Sequence, residues 1–339
     1  MAENSITQKQ IASSLGLSRM AVSLALKDSP RVSAVTRELV QAEAERLGYR
    51  PDPALSALIR YRKSGGSSGY RETLAFVTHW KNPDGWREQY VRRFFDGAQR
   101  AAGLAGYHLE PFWLGEYRKP EMASSVLKSR GIRGVLLAPL EQPGTVSLNW
   151  ENFASVAVGT TITAPALDRV RHDYENSIRL TLAELHALGY QRIALVLPPR
   201  VDRITEQRVI DSFHGVVQRT PQLRHSLVCQ PTAETKTAFL KEIRRMKPDC
   251  VISLQEQHHE WLSSGGYLVP DEIGFAHLHV KDAKHGRSGI DYGAEEIGGT
   301  AADRLDILLQ RNMLGLPGRP ITILIPGRWT VGNTLRKEA

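Results

Sequence analysis

Apolar residues between Thr7 and Leu47 recur at helical spacing in three short runs. Thr7 and Gln10 form a Thr-x-x-Gln capping pattern, and Ile11, Ala12 and Leu15 line one side of the helix that it opens. Gly16 ends that helix and permits a tight turn. Ser18 caps a second helix, with Ala21, Val22, Ala25 and Leu26 inward and Arg19, Met20, Ser23 and Leu24 outward. After the loop "DSPRVS", Ser33 caps a third helix that runs through Leu47 and closes at Gly48. The pattern predicts a small all-α module with a core too small to be the whole protein.

The texture then changes. Pro51 and Pro53 break any helix, and "SGGSSG" (residues 64–69) has the composition of a flexible linker, leaving Ala54 to Arg62 room for one or two helical turns. From Thr73 onward, short apolar strands alternate with amphipathic helices. Strands are expected at "TLAFVTHW", "HLEPFWLG", "GVLLAPL", "SVAVGT", "RIALVLP", "HSLVCQ", "DCVISL", "EIGFAHL" and "ITILIPGRWTVG". Helices are expected at "YVRRFFDGAQRAAGLAG", "MASSVLKSRG", "NSIRLTLAELHALG", "EQRVIDSFHGVVQR", "TKTAFLKEIRRM" and "GAEEIGGTAADRLDILLQ". Alternation of this kind builds α/β lobes with parallel sheets, and so many strands divide more naturally into two lobes than one. Ligands of such sheets sit beyond the carboxyl ends of the strands, here in a cleft between the lobes. The chain thus reads as residues 1–50, a helical domain; 51–72, a short helix and linker; and 73–339, a two-lobed domain.

Charge adds a partner class. Of the formal net charge of +8, residues 1–63 carry +4, from ten Lys and Arg against six acids. A local positive excess attracts a phosphate backbone, although a solvated basic surface would look the same by charge alone. No apolar run approaches the length of a membrane span, and "MAENSITQKQ" has no basic region followed by an apolar stretch. Cys229 and Cys250 belong to no metal-ligand pattern and suit a reducing compartment, so a cytoplasmic location is expected.

The first two helices carry the strongest functional signal. Small Ala12 sits where the helices cross, Gly16 in the turn, and Ser18 at the start of the second helix, the spacing of a helix-turn-helix whose second helix enters a major groove. The stretch "IASSLGLSRMAVSLALKDSPRVSAVTRELVQAEAERLGYRPDPALSAL" resembles the DNA-binding headpiece of the LacI/GalR family of transcriptional regulators. More loosely, "LHALGYQRIALV" and "LVPDEIGF" are similar to that family's periplasmic-binding-protein-like effector domain. The resemblance implies a homodimeric repressor bound to double-stranded operator DNA and controlled by a sugar-like small molecule, with no cofactor and no catalysis.

By position, the resemblance makes Arg19, Met20 and Leu24 candidates for base contact, with Leu24 standing where the family usually has an arginine. Arg19 can bond a guanine edge, whereas Met20 and Leu24 offer only apolar contact. Thr7, Ser18, Ser23, Ser33 and Thr36 are placed as caps and phosphate contacts. "PDPALSAL" resembles the family's hinge helix; Leu55 and Leu58 fall in it, and Leu58 matches the leucine that wedges into the minor groove.

For the effector, His79, Trp80 and Trp86 follow the first strand of the body, where aromatic faces suit sugar rings, although a single Trp is more often core or rim. Asp173 stands where the family often has an acid, and Arg208 lies near its ligand-binding arginine but is one residue further from Phe213. Gln255-Glu256 replaces the usual Asn-Asp, and His277 or His279 replaces a later aspartate, which argues against a common hexose. Gln255 and His279 complete the candidate set. Adjacent His258, His259 and Glu260 point in different directions from a helix and make a poor chelate, so no metal is expected. The competing reading is a two-lobed sugar-binding protein or enzyme whose helical N-terminus is only an interaction module.

Overall fold

A computed structural model describes residues 7–26, 32–47, 49, 72–88, 90–231, 233–280 and 286–337. Its first unit contains α1 (Gln8–Leu15), α2 (Arg19–Ala25) and α3 (Ala34–Arg46). Their apolar faces meet in a core of Ile11, Ala12, Val22, Ala25, Val40 and Ala44. Leu55 and Leu58 lie outside the described residues.

The body contains two sheets of six strands. The first runs in the order Thr322–Pro326 (β13), Asp168–Asp173 (β7), Ala154–Val158 (β5), Gly134–Leu137 (β3), Glu72–Thr78 (β1) and Tyr107–Trp113 (β2), all parallel. The second runs in the order Arg328–Thr330 (β14), Ser288–Asp291 (β12), Gly274–Val280 (β11), Cys250–Ser253 (β10), Ile193–Val196 (β8) and Leu227–Cys229 (β9); only β14 is antiparallel. Gly144–Thr145 (β4) and Ile162–Ala164 (β6) form a small separate pair.

Side chains alternate between the two faces of each sheet, as the pleat requires. On β1, Leu74 and Phe76 enter one core while Ala75 and Val77 enter another. On β8, Ile193 and Leu195 join the first of these cores, which therefore spans both lobes, while Ala194 and Val196 face a third. Strands buried on both faces, such as β3, β5, β8 and β10, read as continuous apolar runs, and the pattern located these together with the partly exposed β2, β9 and β13.

In the first lobe, α4 (Val91–Leu104) packs closely on α11 (Ala294–Gln310). A Cβ at Gly97 would strike the Glu295 carbonyl and one at Gly298 the Phe94 carbonyl, so the two backbones touch. Arg93 clamps the crossing with two bonds to Glu295, at 2.9 and 2.7 Å. Pro120–Ser129 (α5) packs in the core on the opposite face. The second lobe holds α6 (Tyr174–Ala187), α7 (Pro199–Ile204), α8 (Arg208–Arg219), α9 (Lys236–Met246) and α10 (Gln257–Ser264).

The chain crosses between lobes three times: from β7 to α6, from β12 to α11, and from β13 to β14. The predicted single strand "ITILIPGRWTVG" is thus two strands in different sheets, broken at Gly327. Six further elements escaped the pattern, the short pair β4 and β6 and four others. β7 buries Arg171 and His172, so its polarity hid it; β12 is four residues with Gly289 inside; α7 is a single short helix; and α10 lacks a side-chain cap.

Candidate functional site

The headpiece geometry follows from its caps. Gln10 N donates to Thr7 Oγ1 at 3.4 Å, and Thr7 N donates back to Gln10 Oε1 at 2.7 Å, closing the capping box. Gly16 takes φ 63°, a left-handed conformation that glycine adopts without strain, and turns the chain toward α2. Ser18 Oγ accepts from Ala21 N at 3.1 Å, and Ser33 Oγ accepts from Thr36 N at 3.2 Å, so these hydroxyls hold helix N-termini. Val22 and Ala25 anchor α2, while Arg19 and Met20 are exposed and Ser23 and Leu24 are half-buried. A capped helix thus presents one long cation and one flexible apolar side chain outward.

In the body, a cleft of about 580 Å³ opens between the lobes. The first lobe supplies Trp80, Tyr90 and the segment Leu140–Gln142, beyond the ends of β1 and β3. The second supplies Arg200, Val201, Ile204 and Thr205 around α7, Leu254–Glu256 beyond β10, and His277 and His279 from β11. Tyr174 and Tyr292, at two of the crossovers, complete the lining.

Trp80 is fixed by its indole N–H, which donates to Pro139 O at 2.9 Å. His279 stands edge-on to Tyr90, with centroids 5.4 Å apart, and lies against Tyr292 at 4.6 Å. The Tyr174 and Tyr292 hydroxyls meet at 3.0 Å. Burial pushes all three tyrosines upward, so each hydroxyl stays protonated; one of the Tyr174–Tyr292 pair donates to the other, which leaves two O–H donors for a ligand. His277 Nδ1 accepts from His279 N at 3.1 Å, which in the neutral ring places the proton on Nε2, toward Glu256 at 3.7 Å. Burial alone would raise the Glu256 carboxyl, but the hydrogen bond at 2.6 Å and the positive charge of Arg287 outweigh it and hold the group below its ordinary range. Aromatic faces, neutral donors and a rim of charge suit a small polyhydroxylated molecule.

Of the sequence candidates, Trp80, Gln255 and His279 line this cleft. Four others are placed elsewhere. Trp86 is fully buried against Phe76 and Phe95, because its ring completes the first-lobe core, with its N–H on Pro83 O. His79 is exposed at the end of β1 and is not among the lining residues. Asp173 caps α6, accepting from Asn176 N at 3.0 Å. Arg208 is held by Glu206 at 2.8 Å and Glu175 at 3.0 Å, and the cleft arginine is Arg200. The sequence reading missed Tyr90, Tyr174, Tyr292 and Arg200, and passed over Leu140–Gln142, which the carboxyl-end rule could have flagged.

His258 and His259 do not form a chelate: His258 stacks on Phe239 and bonds Ser253 at 2.7 Å, while His259 faces Arg287. Among the described residues no group of three or more His, Cys, Asp or Glu is placed to hold a metal. No described helix is long and apolar enough to cross a membrane.

Residues 7–52 match the bacterial regulatory proteins of the lacI family. The headpiece thus carries the pattern of that family's model. The HTH-type transcriptional regulator PtxS of Pseudomonas plecoglossicida is 24% identical over 226 residues, covering 66% of this chain and 63% of its own length. The chain therefore spans less than two thirds of that relative. Among solved structures, the transcriptional regulator CelR–cellobiose complex shares 17% identity with a TM-score of 0.56, over 97% of this chain and 99% of its own. The lac repressor dimer bound to operator and the anti-inducer ONPF shares 18% with a TM-score of 0.56, over 98% and 100%. The headpiece that matches the lacI model is thus joined to a body with the fold of these regulators.

Proposed function

We propose that this lacI-family chain is a sequence-specific repressor that works as a homodimer on operator DNA, in the cytoplasm, under control of a sugar-like effector held between the lobes. The observation that carries this reading is the capped α2, with Arg19 and Met20 exposed, in one chain with an aromatic-lined interlobe cleft. Residues 1–50 read DNA, 51–72 link, and 73–339 sense and dimerise. Each α2 occupies a major-groove half-site, where Arg19 reads one base pair and Met20 and Leu24 make apolar contacts. Thr7, Ser18, Ser23, Ser33 and Thr36 set the register, and Leu55 and Leu58 bend the duplex between the half-sites. Trp80, Tyr90, Tyr174, Arg200, Gln255, His277, His279 and Tyr292 contact the effector. Ligand occupancy then shifts operator affinity through its preference for one lobe arrangement.

The test is selection of duplexes from a random library with the full chain, followed by titration of the enriched site. A near-palindromic site is expected, with Arg19→Ala losing discrimination at one base pair per half-site, about 1–3 kcal/mol per subunit. Recovery of no enriched palindrome would end this reading. A thermal-shift screen of mono- and disaccharides then identifies the effector, since a ligand bound only to the native state raises stability by mass action.

A further inference from the structure

The three crossovers meet at one side chain, His172. It is the penultimate residue of β7, 1% exposed, and pairs in register with Ile325 of β13. Its Nδ1 lies 3.1 Å from the Tyr292 carbonyl oxygen on the second crossover. A carbonyl only accepts, so Nδ1 carries the proton; in the neutral ring Nε2 then accepts from Ser177 Oγ of α6, at 2.8 Å. Burial lowers this imidazole to about 4, which keeps it neutral and this bond pattern intact near pH 7. The ring also stacks on Tyr292, with centroids 4.1 Å apart and planes 17° from parallel, and meets Tyr174 edge-on at 5.2 Å. At the third crossover a Cβ on Gly327 would lie 2.7 Å from Ser177 Oγ and 3.0 Å from His172 Cε1, so the chain passes directly against the pair.

We infer that His172 is the positioning residue of the interlobe hinge, pinning the three crossovers to Tyr292 and Tyr174 at the cleft lining so that they move as one unit. Resting on the reading of the cleft as the effector site, this makes a contact with either tyrosine a contact with the hinge. His172 touches no ligand; it acts through Tyr292. Two hydrogen bonds of fixed direction and a stacked ring give the hinge a defined rest position, which an apolar ring of similar shape would not.

The experiment measures lobe separation in the DNA-free, full-length protein by pulsed electron resonance, with spin labels at Arg118→Cys in the first lobe and Gln222→Cys in the second, the labelled chains being exchanged into a large excess of unlabelled ones so that only distances within one chain are read. Both sites are exposed, while Cys229 and Cys250 are buried. The unsubstituted hinge should give one distance. His172→Phe keeps the ring but loses both bonds, and should add a second distance population of roughly a tenth of the molecules or more, the upper end for a minor conformer. Ser177→Ala should add a smaller one. Phe239→Leu, in the separate outer core of the second lobe, controls for lost stability and should leave the single distance unchanged. A single distance in His172→Phe, or equal broadening in Phe239→Leu, overturns the assignment. Should His172→Phe not fold, His172→Asn, which can keep a donor toward Tyr292, and Ser177→Ala decide the matter: one unbroadened distance in both overturns it. The measurement needs neither operator nor effector, so its failure and a failure of the regulator reading remain distinct.

Discussion

Removing Asp168 should unfold the body at markedly lower temperature, and a second substitution should recover part of the loss. Asp168 opens β7 and is 2% exposed. Its Oδ2 accepts from Arg304 Nε at 2.8 Å and Nη2 at 2.6 Å, and its Oδ1 accepts from Ile321 N at 2.8 Å. One carboxylate therefore fastens β7 to α11 and to the residue that enters β13. Asp168→Ala leaves the Arg304 guanidinium, with a side chain 15% exposed, without its anion. Breaking a buried pair from one side costs about 3–5 kcal/mol, because the other charge stays desolvated and uncompensated. At the slope typical of large domains that is a fall of roughly 6–20 °C in melting temperature. Asp168→Ala with Arg304→Met removes the stranded charge, so what remains is chiefly the orphaned Ile321 N–H, about 1–3 kcal/mol. Calorimetric unfolding of the three proteins at neutral pH distinguishes the causes. A double variant as unstable as Asp168→Ala would refute the stranded-charge argument, and a loss below about 1 kcal/mol in the single variant would refute the pair's role altogether.

Further outcomes test other parts of the molecule. Burial holds His172 and His258 near 4, below their unfolded value of 6.5, so the unfolded chain takes up protons first as pH falls. The stability they contribute is full above about pH 6.5 and drains between 6.5 and 4, by about 1.4 kcal/mol per pH unit for each; His258→Phe should remove its share of that slope in thermal unfolding at pH 7.5, 6 and 5. Trp86→Ala should cost about 3–5 kcal/mol as a core truncation, whereas Trp80→Ala should cost less and abolish the thermal shift given by the effector. Ser18→Ala should destabilise α2 by about 1 kcal/mol and weaken operator binding, with Ser18→Asp retaining the cap; circular dichroism and DNA titration read the two effects. Gly298→Ala should force α4 and α11 apart and cost about 1–3 kcal/mol or more, seen in denaturant unfolding; an unchanged midpoint would contradict the backbone contact.

The headpiece was legible because its signals are local. Thr7, Gly16, Ser18 and Ser33 each act within a few residues of themselves, so sequence spacing alone predicts where the helices start and stop. Doubly buried strands such as Cys250–Ser253 were legible for a similar reason, since burial on both faces needs a continuous apolar run. The cleft was not, because its members are assembled from positions distant in the chain. Tyr90, Tyr174 and Tyr292 belong to three different junctions, and only the crossovers bring them together. Trp86 and Trp80 look alike in "THWKNPDGWRE", yet the short helix Gly85–Glu88 turns one ring into the core while the other reaches the cleft. Asp173 shows the remaining ambiguity: an acid that opens a helix satisfies a backbone donor as readily as a ligand, and here it caps α6.

The crossovers also bind the two lobes into one folding problem. The first sheet is finished by β13 and backed by α11, both from the last 50 residues or so of the chain, whereas its other strands lie before residue 174. The second sheet likewise waits for β14, which follows β13 after Gly327 alone. Neither lobe can be completed by a contiguous segment, and the shared core from Leu74 to Leu335 crosses from one lobe to the other. Loop closures of that length are costly and are repaid only when the late segments dock. Packing that resists separation of the lobes is thus built into the same strands that meet at His172. In the hinge proposed above, the lobes turn about that point, and such a turn is a motion that a molecule lodged between them can bias.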